Sequence, residues 1–211
     1  MALFYFLRHG ETAWNAEGRL CGSTDVPLSD VGRRQAQLLA RRLKPISVEA
    51  LYTSPLGRAL ETACVIGAAI DREPVIDRRL AELNYGAWEG RTFEEIQRAT
   101  PATYRAWDAD PGNMAPPEGE SGVQLIERVT PFMANVAQRH PRGNVVVVCH
   151  KTVCRLLACH IMGVPLSEYR RRITMQNAAL NILETQEGNW RVVALNDTSH
   201  LSSPAAGISY E

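Results

Sequence analysis

Two short apolar runs, at residues 3–7 and 145–149, constrain the fold of this chain more than any other feature. Each run is typical of a strand buried inside a sheet. Segments with helical spacing of apolar residues, such as 30–43, separate the predicted strands. This alternation predicts an α/β fold with three layers, in which a mostly parallel sheet carries helices on both faces.

The remaining predicted elements follow from spacing and from turn residues. Ser54-Pro55 is interpreted as a helix cap followed by proline at the first helical position, and this helix runs to about residue 70. Further helices are predicted over 121–140 and 152–162, and further strands over 50–53, 74–76, 178–183 and 190–195. We interpret the whole chain, 1–211, as one domain with a lid insertion over about 84–120 and a C-terminal tail over about 201–211.

The composition excludes several classes of function. A formal net charge of zero removes the electrostatic basis for nucleic acid as a main partner. No apolar stretch approaches the ~18 residues of a membrane span, and Arg8 interrupts the N-terminal run too early for a signal peptide. The five cysteines are odd in number and favour reduced thiols over a disulfide framework. These features predict a cytoplasmic protein that binds neither membranes nor nucleic acid.

A histidine follows each of the two apolar runs. Arg8-His9 comes directly after the first and His150 after the second. Ligands in open α/β sheets bind at the carboxyl ends of the strands, so both histidines are expected at one site. A neutral imidazole surrounded by cations is a competent nucleophile toward phosphorus. The pairing therefore favours phosphoryl transfer through a histidine, although a lone histidine usually has a capping or packing role.

Two further side chains suit this chemistry. Arg58 is expected about one turn into a helix that follows a strand, where it would reinforce an anion site. On spacing alone, however, an ion pair with Glu61 is the better explanation. Glu82 lies between leucines, and burial would favour the protonated form that a general acid needs. Glu89 is a competing candidate for the acid.

The region after His150 holds a cation and several sulfurs. Lys151, one of only two lysines in the chain, stands at a predicted helix start, where a cation is unfavourable unless an anion lies nearby. A solvated lysine is the alternative. Cys149, Cys154, Cys159 and the two neighbouring histidines match no zinc signature, so no metal site is predicted.

The order of these motifs resembles the histidine phosphatase superfamily, the group that includes cofactor-dependent phosphoglycerate mutase. The opening stretch from Leu7 to Asn15 continues through Gly18-Arg19, Gly22, Asp25, Pro27-Leu28-Ser29 and Gly32. The later blocks keep the family's order: Ser54 to Ala59, Glu82 with Gly86, Trp88-Glu89-Gly90, Gly119-Glu120-Ser121 and Val147 to His150. The resemblance covers residues 3 to about 200 and implies a phosphoglycerate mutase-like fold.

The resemblance also implies roles for these residues. His9 would be the phosphorylated nucleophile, with Arg8, Arg58 and His150 as a phosphate clamp. Glu82, rather than Glu89, would protonate the leaving oxygen and then activate water. Fixed cations would replace a metal, and no cofactor is implied.

Four more positions are implied to bind substrate: Asn15, Cys21, Gly22 and Lys151. Asn15 would be a neutral donor to the phosphate. Cys21, before Gly22, stands where the family usually has a Gln, Thr or Ser donor, and a thiol is a weaker donor. Lys151 replaces a glycine or small residue, and we expect it to contact phosphate or a substrate carboxylate.

The chain looks most like the short phosphatase branch of the family, with a small phosphorylated metabolite as partner. A phosphoglycerate mutase and a catalytically inactive phosphate-binding relative are the alternatives, and a homodimer stays open. In the predicted lid, the arginines would suit a second anionic group, while the aromatic residues would suit a ring-bearing alcohol. The arginines are Arg91, Arg98 and Arg105, and the aromatic residues are Tyr85, Trp88, Tyr104 and Trp107.

Overall fold

The computed structural model describes residues 1–186 and 188–202. The strands within these ranges are β1 (Ala2–Arg8), β2 (Val48–Thr53), β3 (Pro74–Ile76), β4 (Gly143–Cys149), β5 (Leu180–Gln186) and β6 (Asn189–Asp197). The helices are α1 (Ala13–Ala16), α2 (Asp30–Leu43), α3 (Gly57–Ile70), α4 (Phe93–Ala99), α5 (Pro101–Ala109), α6 (Gly122–Arg139), α7 (Lys151–Met162) and α8 (Tyr169–Arg172). Short 3-10 turns connect several of them.

The six strands form one sheet in the order β3-β2-β4-β1-β5-β6. The first four of these strands run parallel to one another, and β5 and β6 add an antiparallel hairpin beside β1. The predicted mostly parallel α/β sheet is therefore confirmed. Because β1 and β4 are neighbours in register, the residues that follow Arg8 and Cys149 emerge side by side at one edge.

Two hydrophobic cores lie on opposite faces of this sheet. The valines of β4 contribute alternately to the two cores, because successive strand residues point to opposite faces. Val145 and Val147 belong to the core shared with α6 and α7, whereas Val146 and Val148 belong to the core shared with α2 and α3. All four are fully buried, and the sequence of this strand is continuously apolar because both of its faces are covered. The three-layer prediction is thus confirmed.

Helix boundaries agree with the sequence at α2 and differ at α3. The hydroxyl of Ser29 accepts a hydrogen bond from the Gly32 amide, and α2 covers the predicted residues 30–43. The predicted start of α3 is wrong, because Ser54 and Pro55 lie before a helix that begins at Gly57. The Ser54 hydroxyl is instead engaged with the amide of Leu56 and with the ring of His150.

The segment 84–120 carries α4 and α5, which pack through a cluster of aromatic side chains. Trp107 is buried at its centre and lies 5.1 Å from Trp88 and 5.9 Å from Phe93, centroid to centroid. Of the predicted C-terminal tail, Leu201 is buried in a 3-10 turn, and residues 203–211 lie outside the described residues. All five cysteines are free thiols. Within the described ranges, no helix is both long and apolar enough to cross a membrane.

Candidate active site

His9 lies at the carboxyl end of β1 and is 3% exposed. Its Nδ1 atom is 2.6 Å from the carbonyl oxygen of Gly10. A carbonyl can only accept, so Nδ1 carries the proton and the lone pair is on Nε2. Burial, reinforced by the charges of Arg58 and Arg8, holds the pKa of His9 well below its usual range. The imidazole is therefore neutral and its nucleophilic nitrogen is fixed by the backbone.

A close backbone approach supports this turn. A Cβ added at Gly10 would lie 2.3 Å from the carbonyl oxygen of Gly32, near the start of α2. No side chain fits at that distance, so the residue after His9 must be glycine. The pairing of these two glycines explains why both appear in the motif that suggested the family.

Arg58 is fully buried and joins His9 to the loop over 21–24. Its Nε donates to Nε2 of His9 at 3.3 Å, and its two Nη atoms donate to the carbonyl oxygens of Thr24 at 2.9 Å and Gly22 at 2.7 Å. The alternative ion pair with Glu61 does not form, because Glu61 is paired with Arg33 at 2.7 Å. The structure therefore brings Arg58 into contact with His9.

Arg8 and His150 complete the group around His9. Arg8 Nη1 donates to the carbonyl oxygen of Met175 at 2.9 Å, and burial lowers the pKa of Arg8 to about 10. The rings of His9 and His150 are 5.1 Å apart, centroid to centroid. Nε2 of His150 is 2.7 Å from the Ser54 hydroxyl oxygen. Burial, with Arg58 next in effect, holds the pKa of His150 well below its usual range.

The two competing carboxylates lie in different environments. Glu82 is 5% exposed and lines the cavity beside His9, where it accepts hydrogen bonds from the amides of Leu83 at 2.8 Å and Thr152 at 3.1 Å. Glu89 instead accepts from the amides of Ser23 and Thr24, both at 2.7 Å. Glu82 is thus available to a ligand, whereas Glu89 ties down the loop that also anchors Arg58.

Three of the four positions implied to bind substrate differ in the atoms that they offer to a ligand. Oδ1 of Asn15 accepts from Asn177 at 2.8 Å and from the Thr12 amide at 3.2 Å, so its amide nitrogen is the atom suited to donate to a ligand. Cys21 lines the cavity, and burial raises the pKa of its thiol to about 11. Gly22 serves through its carbonyl, which accepts from Arg58.

The cavity beside His9 has a volume of about 180 Å³ and is markedly cationic. Lys151 lines it, and burial, reinforced by Arg8 and Arg155, lowers the pKa of Lys151 to about 8. Sequence reasoning missed several other lining residues: Arg19, Phe93, Thr152, Arg155, Tyr169, Arg170 and Asn177. Arg155 was detectable, because it stands four residues after Lys151 on α7 and therefore shares its helix face. Tyr169 and Arg170 gave no signal, since only the tertiary fold brings α8 to this site.

The arginines of the predicted lid are not part of this cavity. Arg91, Arg98 and Arg105 are exposed to solvent. Of the aromatic residues, Tyr85 lines the cavity, and its hydroxyl is 2.9 Å from that of Thr152. Among the residues that the structure describes, no group of three or more His, Cys, Asp or Glu side chains is arranged to hold a metal ion.

Comparison with known proteins identifies the family. The family model described as histidine phosphatase superfamily, branch 1, matches residues 4–198. Phosphoserine phosphatase 1 of Hydrogenobacter thermophilus is 34% identical over 95% of both chains. A probable phosphoglycerate mutase of Escherichia fergusonii is 32% identical over 97% of both. The structure of a mycobacterial glucosyl-3-phosphoglycerate phosphatase complexed with VO3 has a TM-score of 0.85 and 30% identity, covering 93% of this chain and 99% of that one.

The match over nearly the whole chain agrees with the fold and with the side chains gathered around His9. The chain belongs to branch 1 of the histidine phosphatase superfamily. Within that family it is a phosphatase enzyme, which is supported by the similar proteins and structures that are named as phosphatases. The predicted family, fold class and enzyme class are therefore confirmed.

Proposed function

We propose that this chain hydrolyses a small phosphomonoester through a phosphohistidine intermediate on His9, without a metal ion. The observation that carries the proposal is the neutral imidazole of His9, whose Nε2 shares one cavity with the carboxyl group of Glu82. A nucleophile beside a carboxyl group is the arrangement that a two-step displacement at phosphorus needs.

In the first step Nε2 of His9 attacks the phosphorus atom. The bond between phosphorus and the ester oxygen breaks, and the oxygen leaves as the alcohol after taking the proton of Glu82. Phosphorylation gives the ring a positive charge. The hydrogen bond from Nδ1 to the carbonyl of Gly10 stabilises that charge.

In the second step a water molecule attacks the phosphorus atom, and its proton passes to the carboxylate of Glu82. The Nε2–phosphorus bond breaks, its electron pair returns to His9, and inorganic phosphate is released. Glu82 is then protonated again for the next cycle. A single carboxyl group thus serves as acid and as base in turn.

Fixed donors would supply the charge stabilisation that a metal gives in other phosphatases. Arg8 and Arg58 provide positive charge next to His9, and the amide of Asn15 provides a neutral donor. A neutral His150 whose Nε2 accepts from Ser54 would present its Nδ1–H to a phosphoryl oxygen. The five free cysteines fit a cytoplasmic site of action.

Phosphate release from a panel of phosphomonoesters in the presence of EDTA tests this proposal. We expect turnover that survives the chelator, and a fall of at least about a thousandfold in His9→Ala. The matched control is His160→Ala, because His160 is exposed on α7, away from the cavity. Turnover by His9→Ala at the unmodified rate would refute the nucleophile. Formation of 2-phosphoglycerate from 3-phosphoglycerate without phosphate release would identify a mutase instead.

A further inference from the structure

The cavity beside His9 is also lined by polar side chains from two helices later in the chain. Lys151 and Arg155 extend from α7, and Tyr169 and Arg170 extend from α8. None of the four was needed to account for the attack on phosphorus. Lys151 and Arg155 add two cations to a cavity in which Glu82 is the acidic lining residue.

Two of these cations have no protein partner in the described ranges. The side chains of Lys151 and Arg155 form no hydrogen bond or ion pair with a residue described there, and Nε of Arg155 is buried without a partner. They stand four residues apart on one helix face, where like charges repel. Lys151 is also the first residue of α7, where the helix dipole disfavours a cation. Both positions become favourable when an anion lies between them.

The hydroxyl group of Tyr169 also indicates a ligand near Lys151 and Arg155. Tyr169 is 1% exposed and lines the cavity, and its hydroxyl has no hydrogen-bond partner in the described part of the chain. A buried hydroxyl without a partner is costly, so a ligand atom is expected to satisfy it. Tyr169 and Arg155 line the same cavity, so one ligand can meet both side chains.

Arg170 also lines the cavity, where other protein groups hold its side chain. It is paired with Asp108, and its guanidinium lies 4.2 Å from the ring centroid of Phe93 and 4.6 Å from that of Trp107. Its charge is already matched by a protein carboxylate. The charge available to a ligand therefore comes from Lys151 and Arg155.

We propose that Lys151, Arg155 and Tyr169 form a subsite for a carboxylate carried by the same substrate whose phosphate lies against His9. This inference rests on the proposed function and narrows its substrate to small phosphorylated carboxylic acids. Lys151 and Arg8 line the same cavity of about 180 Å³, so the two anionic groups of the substrate lie near each other. A singly charged carboxylate tolerates that proximity better than a second phosphate does.

The size of the cavity agrees with this substrate class. Its volume of about 180 Å³ is below the roughly 300–1,000 Å³ of sites for drug-sized ligands, which favours a short carbon chain over a nucleoside-like alcohol. The exposed arginines of the segment 84–120 do not line the cavity, so α7 and α8 supply the selectivity instead.

Matched substrate pairs test the subsite. Phosphoserine is compared with phosphoethanolamine, and 3-phosphoglycerate with glycerol 3-phosphate, because the members of each pair differ in the carboxylate. The readout is the ratio of kcat/KM within a pair. We expect the wild type to favour at least one of the two acids by at least about tenfold, since a charged hydrogen-bonding group discriminates by that order.

Variants then assign the preference to its residues. Lys151→Met is expected to lower the ratio for that pair by at least about tenfold, and Lys151→Arg to keep most of it. Tyr169→Phe is expected to lower it less, because a neutral hydrogen bond is weaker. The control is Lys44→Met, at the end of α2 and outside the cavity, which should keep the wild-type ratio.

Two results would overturn the subsite while leaving phosphohydrolase activity intact. One is a wild-type kcat/KM ratio near one in both substrate pairs, while p-nitrophenyl phosphate is still hydrolysed. The other is a kcat/KM ratio that Lys151→Met leaves unchanged. A stronger preference for a bisphosphate than for either acid would also overturn the carboxylate assignment. If no ester is hydrolysed at all, including p-nitrophenyl phosphate, the proposed function fails and the subsite proposal fails with it.

Discussion

Arg58 donates from its Nε to Nε2 of His9 at 3.3 Å, while both of its Nη atoms are bound to backbone carbonyls of the loop over 21–24. The guanidinium is therefore anchored on one side and presents its Nε–H to His9. We infer that this N–H donates to a phosphoryl oxygen in place of Nε2 when a substrate binds. On this inference Arg58 both stabilises the loop over 21–24 and binds the phosphate.

Replacement of Arg58 by Ala is expected to damage both stability and activity. The carbonyls of Gly22 and Thr24 would lose their donor, which we expect to lower the free energy of unfolding by about 2–4 kcal/mol. Loss of the charge beside His9 is expected to lower kcat/KM by about a hundredfold to a thousandfold. Urea unfolding and phosphate release measure the two effects.

Arg33→Ala provides the comparison for that variant. Arg33 is exposed and paired with Glu61, so we expect a stability change within about 0.5 kcal/mol and wild-type turnover. An Arg58→Ala enzyme as active as Arg33→Ala would show that Arg58 does not act on the phosphate.

Glu82 and Glu89 are expected to respond differently to the same change. Glu82→Gln removes the transferable proton, so esters with poor leaving groups should slow by about a hundredfold to ten-thousandfold, and aryl phosphates by much less. Glu89→Gln weakens the bonds to the amides of Ser23 and Thr24 and should chiefly lower thermal stability. Comparing alkyl with aryl phosphates for both variants checks this. An equal loss on both esters in Glu82→Gln would argue for a structural role only.

Local sequence patterns accounted for the parts of the molecule that depend on neighbouring residues. The runs ending at Leu7 and Cys149 predicted the central strands, because continuous apolar residues need burial on both faces. The start of α3 was misplaced, because the Ser54 hydroxyl bonds to His150, almost a hundred residues away, which spacing cannot reveal. The α8 wall of the cavity was missed for the same reason. Roles for Arg58 and Glu82 needed the family resemblance, since spacing alone favoured an ion pair with Glu61 for Arg58 and left Glu89 as a competing acid.

Stability is expected to fall as the pH drops below about 6.5. The pKa values of His9 and His150 are held well below their ordinary value by burial, so the unfolded chain binds protons at this pH while the folded chain does not. The free energy of unfolding then decreases on acidification by up to about 1.4 kcal/mol per pH unit for each histidine. Urea unfolding between about pH 7 and pH 5 measures this slope.

Variants separate these two histidines from the other titrating groups. His150→Gln should reduce the slope by up to about 1.4 kcal/mol per pH unit, because one neutral buried imidazole is removed. His160→Gln is the control at an exposed position, and we expect the wild-type slope for it. An unchanged slope in His150→Gln would show that His150 is charged in the folded protein.

Selectivity for a carboxylated substrate should weaken above about pH 8. Burial lowers the pKa of Lys151 to about 8, Arg8, Arg155 and Arg170 act in the same direction, and Glu82 opposes them. The ammonium form that binds a carboxylate is present below that pH and is lost as the pH rises through it. The kcat/KM ratio for the matched pair that shows the preference, followed from pH 6 to 9.5, should fall in the wild type and stay level in Lys151→Arg. A ratio that stays level in both would exclude Lys151 as the titrating group.

The covalent intermediate on His9 is the centre of this account, and rapid quenching tests it most directly. The enzyme is mixed with a radiolabelled phosphomonoester in the presence of EDTA, quenched within the first turnover, and digested for mass spectrometry. We predict an acid-labile, alkali-stable phosphoryl group on His9, formed and lost at rates compatible with turnover. Turnover that proceeds with no label on the protein, or with label on a residue other than His9, would contradict the mechanism.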